Sequence, residues 1–226
     1  MKKFIHSQLQ KSLVSRFHKF YYNFGTYANT FWLGIPVLKT PTDLWIYQEI
    51  IHELKPDIII ECGTYQGGTA LFLASICDLV QHGKILTIDI EARSDRPHHP
   101  RIYYLLGSST SQEVVTQVGR LVRGAARVMV ILDSDHHKEH VLDELRIYSQ
   151  FVTDGSYLIV EDTNVNGHPI RPDFGPGPME AVEAFLKETQ DLVIDKSREK
   201  FHLTFNPNGY LKRIKGHPIP DRTESS

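Results

Sequence analysis

Five short runs rich in Ile, Val and Leu, at 57–61 (DIIIE), 84–89 (KILTID), 102–106 (IYYLL), 127–132 (RVMVIL) and 156–161 (SYLIVE), constrain this chain more than any other feature. Most are separated by segments of helical length, at 67–81, 111–122 and 137–150. A strand apolar on both of its alternating faces must be covered on both, and a crossover long enough for a helix returns the chain in parallel register. The expected architecture is therefore α/β: a Rossmann-like, doubly wound, mostly parallel sheet with helices on both faces. Ahead of the first strand, TPTDLWIYQEIIHELK offers a Thr42 or Asp43 cap. Apolar residues then recur at Leu44, Ile46, Tyr47, Ile50, Ile51 and Leu54, which predicts a helix that Pro56 ends. The alternation breaks near the C-terminus, where FHLTFNPNGYLKRI reads as two extended segments around a turn at Pro207, Asn208 and Gly209. The sheet is thus expected to close with a C-terminal antiparallel strand pair.

A chain of 226 residues with 41% hydrophobic content can bury one sizeable core, so residues 41–215 are expected to form one domain, followed by a tail at 216–226. A net charge of -2 argues against nucleic acid as a partner, because polyanion binders concentrate basic charge. The two cysteines, Cys62 and Cys77, lack C-x-x-C spacing and read as reduced thiols of a cytoplasmic protein. No apolar run approaches the ~20 residues of a membrane span, so integral membrane association is not expected.

Residues 1–40 form an N-terminal arm of different character. No Asp or Glu occurs before Asp43, while Lys2, Lys3, Lys11, Arg16 and Lys19 are basic. Ile5, Leu9, Leu13, Phe17, Phe20, Tyr21 and Phe24 follow helical spacing, giving an amphipathic helix that needs a surface to lie on. Docking against its own domain or a sister subunit, and hence a homo-oligomer, is the expectation. A membrane-surface anchor or an organelle transit peptide is the alternative.

In an open parallel sheet, ligands bind outside the carboxyl ends of the strands, near the switch in strand order. Acids end these strands: Glu61, Asp89, Asp133, and the pair Glu161 and Asp162. Each alone has a plain explanation as a helix cap or solvated loop residue; five at equivalent positions call for a shared one. The first turn, ECGTYQGG, has E-x-G and then G-G rather than the G-x-G-x-x-G of a dinucleotide site. Gly63 permits close backbone approach to a ligand, and Gly67 and Gly68 let a helix start tight against the strand. Glu61 would repel a phosphate and welcome a cation, which suits a ligand bearing an amine and a sulfonium. Tyr65 in this turn, Asp89 for a ribose, 26 positions after Gly63, and Ser108 past the third strand complete the candidate cosubstrate set. The competing reading is a glycine turn that simply packs.

VILDSDHHKEHV and YLIVEDTN make the second constellation. Asp133, Glu161 and Asp162 end what should be neighbouring strands, and carboxylates packed so closely ordinarily share a hard divalent ion such as Mg2+. His136 and His140 stand at the spacing of a zinc pair, but the Glu that a zinc protease carries after its first His is absent. These histidines read as substrate contacts, a base or caps, with His136 and His137 as candidate proton acceptors beside Asp133. NVNGHPIRPDFGPGPMEAV, after the fifth strand, has the length and composition of a substrate-covering loop or of a proline-stiffened connector. Lys196, Arg198 and Lys200 read as a solvated edge.

With these stretches in view, the chain resembles the cephalosporin hydroxylase family, S-adenosylmethionine methyltransferase-like proteins despite the name. The resemblance covers nearly everything after about residue 30 and rests on DLWIYQEII, KPDIIIECGTYQGGTALFLASI, VILDSDHHKEHVLDEL, GSYLIVEDTNVNG, GPGPMEAVEAFL and REKFHLTFNPNGYLKR. It implies S-adenosylmethionine at Glu61, Gly63, Tyr65 and Asp89, and Mg2+ at Asp133, Glu161 and Asp162. The related O-methyltransferases of sugars and catechols hold their metal at the same strand ends. The expected function is Mg2+-assisted O-methylation of a sugar or secondary-metabolite hydroxyl. Two other readings stand beside it: an iron-dependent hydroxylase, which needs two histidines and a carboxylate, and a cosubstrate-binding subunit without turnover.

Overall fold

The structure, a computed structural model, describes residues 2–214, with side chains from Leu9 onward; the expected tail at 216–226 and the side chain of Ile5 fall outside these. The chain begins with helix α1 (Lys2–Asn23) and a short 3-10 turn (Thr26–Asn29), followed by a small hairpin of β1 (Phe31–Trp32) and β2 (Ile35–Pro36). Then come α2 (Pro41–Leu54), β3 (Ile58–Cys62), α3 (Gly68–Leu79), β4 (Lys84–Asp89), β5 (Ile102–Leu106) and α4 (Gln112–Leu121). The chain continues through β6 (Val128–Leu132), α5 (Lys138–Tyr148), β7 (Tyr157–Val160), α6 (Pro178–Phe185), β8 (Leu192–Ile194) and β9 (Tyr210–Arg213).

The main sheet has seven strands in the order β5-β4-β3-β6-β7-β9-β8. β3 to β7 are mutually parallel, and β9 inserts antiparallel between β7 and β8. The expected strand positions hold to within a residue. The C-terminal antiparallel pair is present, but its first member is Leu192–Ile194 rather than Phe201–Phe205. Competing bonds draw FHLTF away from the sheet: the Phe205 N–H donates to a carboxylate oxygen of the buried Asp43, and its carbonyl accepts from the Asn164 N–H.

Alternation along each central strand divides the interior in two. Ile60, Leu86, Val130 and Leu158 face α4, α5 and α6, while Ile59, Ile85, Met129, Ile131 and Ile159 face α2 and α3. Because each fully buried aliphatic side chain contributes roughly 1.5–3 kcal/mol, a one-residue slip in register would exchange these two cores at prohibitive cost. Helix starts follow local chemistry: Thr40 caps α2 through its side chain, Pro41 fills the first helical position, and Ser111 caps α4.

Helix α1 lies against its own domain, but by another side than the apolar spacing suggested. His18, Tyr21 and Tyr22 form the side of α1 that faces the domain, where His18 is buried, stacks on Phe205 at 5.6 Å and accepts a hydrogen bond from Asn164 Nδ2 at 3.0 Å. The stripe of Leu9, Leu13, Phe17, Phe20 and Phe24 points away and stays 51–74% exposed. After α1 the chain does not lie apart from the domain. Trp32 packs edge-on against Phe72 of α3 and donates to Ser75, and Gly68 approaches Pro36 so closely that a Cβ there would meet the Pro36 carbonyl at 2.0 Å.

Candidate active site

The strand order reverses between β3 and β6, so the crevice forms where their carboxyl ends diverge. At that point Gly63 adopts φ +97°, and a Cβ on it would stand 1.9 Å from the Asp133 carbonyl. Only glycine allows the first turn to lie so close to the next strand end. A cleft of about 800 Å3 opens above this junction. Gly63, Tyr65, Gly68, Asp89, Ser108, Asp133, His136, His137, Glu161 and Asp162, all singled out from sequence, line it.

Two of the candidate cosubstrate residues act from outside the lining. Gly67 (φ +82°) lets the turn pass Pro97 and Tyr104, where a Cβ would come within 2.9 and 3.1 Å of them. Glu61 is wholly buried on the α2–α3 face beneath the turn, where the Thr87 hydroxyl donates to its Oε2 at 2.6 Å and Thr87 in turn meets Thr64 at 2.6 Å. Its Oε1 has no hydrogen-bond partner. Burial pushes the Glu61 carboxyl up to about 8, against the Thr87 bond and the charge of Lys39. A cationic ligand bound at the glycine turn would draw this carboxyl back toward its charged form.

Asp89 ends β4 and grips the same turn. Its Oδ2 accepts from the N–H groups of Thr64 and Tyr65 at 3.1 and 2.7 Å and lies 2.9 Å from the Arg96 guanidinium. Its Oδ1 accepts from the Glu91 N–H and keeps a lone pair for a ligand. Four non-glycine residues of the cleft, Leu38 (φ +60°), Tyr65 (φ +49°), Asp162 (φ +52°) and Arg171 (φ +45°), hold left-handed backbone, a strain that concentrates at functional sites.

Asp133, His136 and Asp162 offer one ligand atom each within 4.8 Å of one another, with His136 Nε2 3.3 Å from Asp162 Oδ2. Glu161, expected to share a metal with Asp133 and Asp162, has both oxygens engaged elsewhere. The Lys39 ammonium donates to its Oε2 at 2.5 Å and Tyr47 donates to its Oε1 at 2.7 Å. Lys39 also donates to Asp133 Oδ2 at 2.6 Å and is 5% exposed, so one buried cation joins the ends of β6 and β7. Burial alone would discharge it, but the two carboxylates outweigh burial and hold the lysine above its ordinary range. Burial, with Asp133 next for Glu161, raises the Glu161 and Asp162 carboxyls. Three carboxylates against one ammonium leave negative charge that a divalent cation would relieve.

The remaining histidines separate. His137 is exposed, hydrogen-bonds Asp135 through Nδ1 at 2.6 Å and stacks on Phe174. His140 lies 3.3 Å from the buried Glu144 and 3.1 Å from Ser134, so the zinc-like spacing of His136 and His140 does not converge on one ion.

Several cleft residues went unrecognised in the sequence. Pro36, Val37, Leu38 and Lys39 come from the segment assigned to the arm, and Tyr22 and Tyr27, stacked at 5.0 Å, form with Phe205 an aromatic wall. A lone basic residue in an acid-free stretch running straight into a helix cap was the available signal for Lys39. Arg171 and Phe174 of the glycine- and proline-rich loop also line the cleft.

The family model for Rhamnosyl O-methyltransferase/CmcI matches residues 25–214. The chain is similar to Rhamnosyl O-methyltransferase of Mycobacterium leprae (strain TN), 41% identical over 208 residues, covering 89% of this chain and 91% of that one. It is similar also to Rhamnosyl O-methyltransferase of Mycobacterium tuberculosis (strain ATCC 25618 / H37Rv), 40% identical over 209 residues, covering 89% and 85%. Among solved structures, CmcI with Mg and SAM superposes with a TM-score of 0.65 at 19% identity, over 83% of this chain and 78% of that one, which supports the methyltransferase-like fold. With the family model spanning most of the domain and two relatives near 40% identity across nearly all of it, the chain belongs to the Rhamnosyl O-methyltransferase/CmcI family.

Proposed function

We propose that this chain transfers the methyl group of S-adenosylmethionine to a hydroxyl of a sugar, with a divalent cation such as Mg2+ at Asp133 and Asp162. The observation that carries this reading is the opening of the glycine turn and the Asp133, His136 and Asp162 trio into one cleft. The printed function of the relatives supports rhamnosyl units as the acceptor class.

The turn at Gly63 allows close backbone approach of the cosubstrate, whose amine or sulfonium would draw the buried Glu61 toward its charged form, and the Oδ1 of Asp89 would accept from its ribose hydroxyls. Asp133 and Asp162 would hold the cation, which would supply Lewis-acid activation of an acceptor hydroxyl. His136, with Nε2 beside Asp162, takes the hydroxyl proton. Lys39 fixes Asp133 and holds Glu161 in reserve behind the aspartates, keeping the carboxylates in place without saturating their charge. Tyr22, Tyr27 and Phe205 offer flat apolar faces on which a sugar ring can stack while water is excluded. The trio has one histidine and two carboxylates, the reverse of the iron hydroxylase set, and His140 turns to Glu144, so the hydroxylase reading loses its ligands.

Incubation with methyl-labelled S-adenosylmethionine, MgCl2 and a panel of rhamnosides and other glycosides tests the proposal. Labelled O-methyl glycoside, abolished by EDTA and restored by Mg2+, is the expected result. Absence of labelled product from every glycoside, or turnover indifferent to EDTA, overturns it.

A further inference from the structure

Helix α1 uses one side to close the domain and leaves another bare. Its inner side is engaged: His18 is buried between Asn164 and Phe205, Tyr21 meets Phe205 edge-on, and Tyr22 joins the cleft wall. The outer stripe is not. Leu9, Leu13, Phe17, Phe20 and Phe24 are 64, 68, 51, 60 and 74% exposed, and Phe20 and Phe24 pack on each other at 5.0 Å instead of on the domain. Steps of four, four, three and four residues keep these five side chains on one line along the helix. Singly exposed apolar residues need no explanation, but a continuous row of two leucines and three phenylalanines does.

Charge decides what covers it. The first 42 residues contain no Asp or Glu, and Lys11, Arg16 and Lys19 of α1 are exposed, with Lys2 and Lys3 adding to the same sign in the sequence. Pairing with the same stripe of a second copy would set basic helix against basic helix, with no acid on either to offset the repulsion. A surface that is apolar below and anionic above accepts both features: phenylalanine and leucine enter the acyl boundary while lysine and arginine meet the headgroups. No described helix is long and apolar enough to cross a membrane, so attachment would be in the plane of the surface.

We propose that α1 is a peripheral membrane-binding helix, which seats the protein on anionic lipid through Leu9, Leu13, Phe17, Phe20 and Phe24 flanked by Arg16 and Lys19. Since α1 also supplies Tyr22 to the cleft, the seated enzyme holds its acceptor site beside the lipid surface.

The test is co-sedimentation of the full chain with vesicles of phosphatidylcholine alone and of equal parts phosphatidylcholine and phosphatidylglycerol, beside analytical ultracentrifugation without lipid. The expected result is partitioning onto the anionic vesicles only, reversed by high salt. The Arg16→Glu, Lys19→Glu double variant should lower it by about thirtyfold or more, and Phe17→Ser with Phe20→Ser should abolish it. None of these four residues lines the cleft, so thermal unfolding and S-adenosylmethionine binding by the variants check that the domain is intact. If the chain ignores anionic vesicles, the proposal fails. If it instead sediments as a dimer that the phenylalanine variant dissociates, while vesicles bind neither form, a second copy covers the stripe.

Discussion

Lys39 is the residue on which the site's electrostatics turn. Among the described residues its ammonium is the one cation bonding to both Asp133 and Glu161, in a setting where all three are largely withdrawn from water. Removing one partner of a buried ion pair strands the other, at a typical cost of about 3–5 kcal/mol. Lys39→Met should lower the unfolding free energy in EDTA by about that amount, and Mg2+ should restore part of it by supplying the missing positive charge. Urea unfolding with and without Mg2+ measures both; a loss below about 1 kcal/mol in EDTA would show that the ammonium is dispensable. Asp89 has two duties, fastening the turn through the Thr64 and Tyr65 amides and leaving Oδ1 for a ligand. Asp89→Ala should weaken S-adenosylmethionine binding in calorimetry at least tenfold, as loss of hydrogen bonds to a charged group implies. Unchanged affinity would remove Asp89 from the cosubstrate site.

At the scale of elements, the seating of α1 depends on a neutral histidine. Burial pushes His18 down from an ordinary 6.5 to about 4, and Asn164 Nδ2 donates to its Nε2, which must therefore be unprotonated. An unfolded or undocked imidazole takes up its proton near 6.5 while the docked one resists until about 4. Acidification through that window therefore favours the undocked helix, with a limit of about 3 kcal/mol. Protection of α1 amides, corrected for the slower intrinsic exchange in acid, should fall from pH 7 to pH 5, and His18→Leu should flatten the response. Equal pH dependence in the variant would place the titrating group elsewhere. The unforeseen elements have physical reasons. β8 is a three-residue strand with a partly open pattern, too short to show a period, whereas FHLTF has the composition of a strand but spends its backbone bonds on Asp43 and Asn164. Side-chain acceptors that arrive from 160 residues away leave no trace in local propensity.

For the whole molecule, the cleft depends on everything at once: two strand ends from the sheet, a turn held by Asp89, a wall from α1 and a lysine from the segment after β2. Ligand binding should therefore stabilise the entire fold rather than one loop. Saturation with S-adenosylmethionine at about a hundred times its dissociation constant is worth about 2.7 kcal/mol. For a domain of this size, that should raise Tm by roughly 5–10 °C. Differential scanning calorimetry of the wild type and of Asp89→Ala at equal ligand concentration checks this; a wild-type Tm that does not move would argue against cosubstrate binding.

The succession of apolar strands and capped helices determined the layered sheet, because period and punctuation are local and the two buried faces leave one register. Acids at successive strand ends marked the rim for the same reason, since parallel strands deliver their carboxyl ends to one side. The direction of each acid was decided only in three dimensions. Whether Glu61 faces the cleft or lies beneath the turn, and whether Glu161 faces a metal or Lys39, depends on partners brought together from 26 and 122 positions away. The outward stripe on α1 belongs to the same class. Amphipathicity in a sequence shows that a helix has distinct faces, and only packing decides which one the domain keeps.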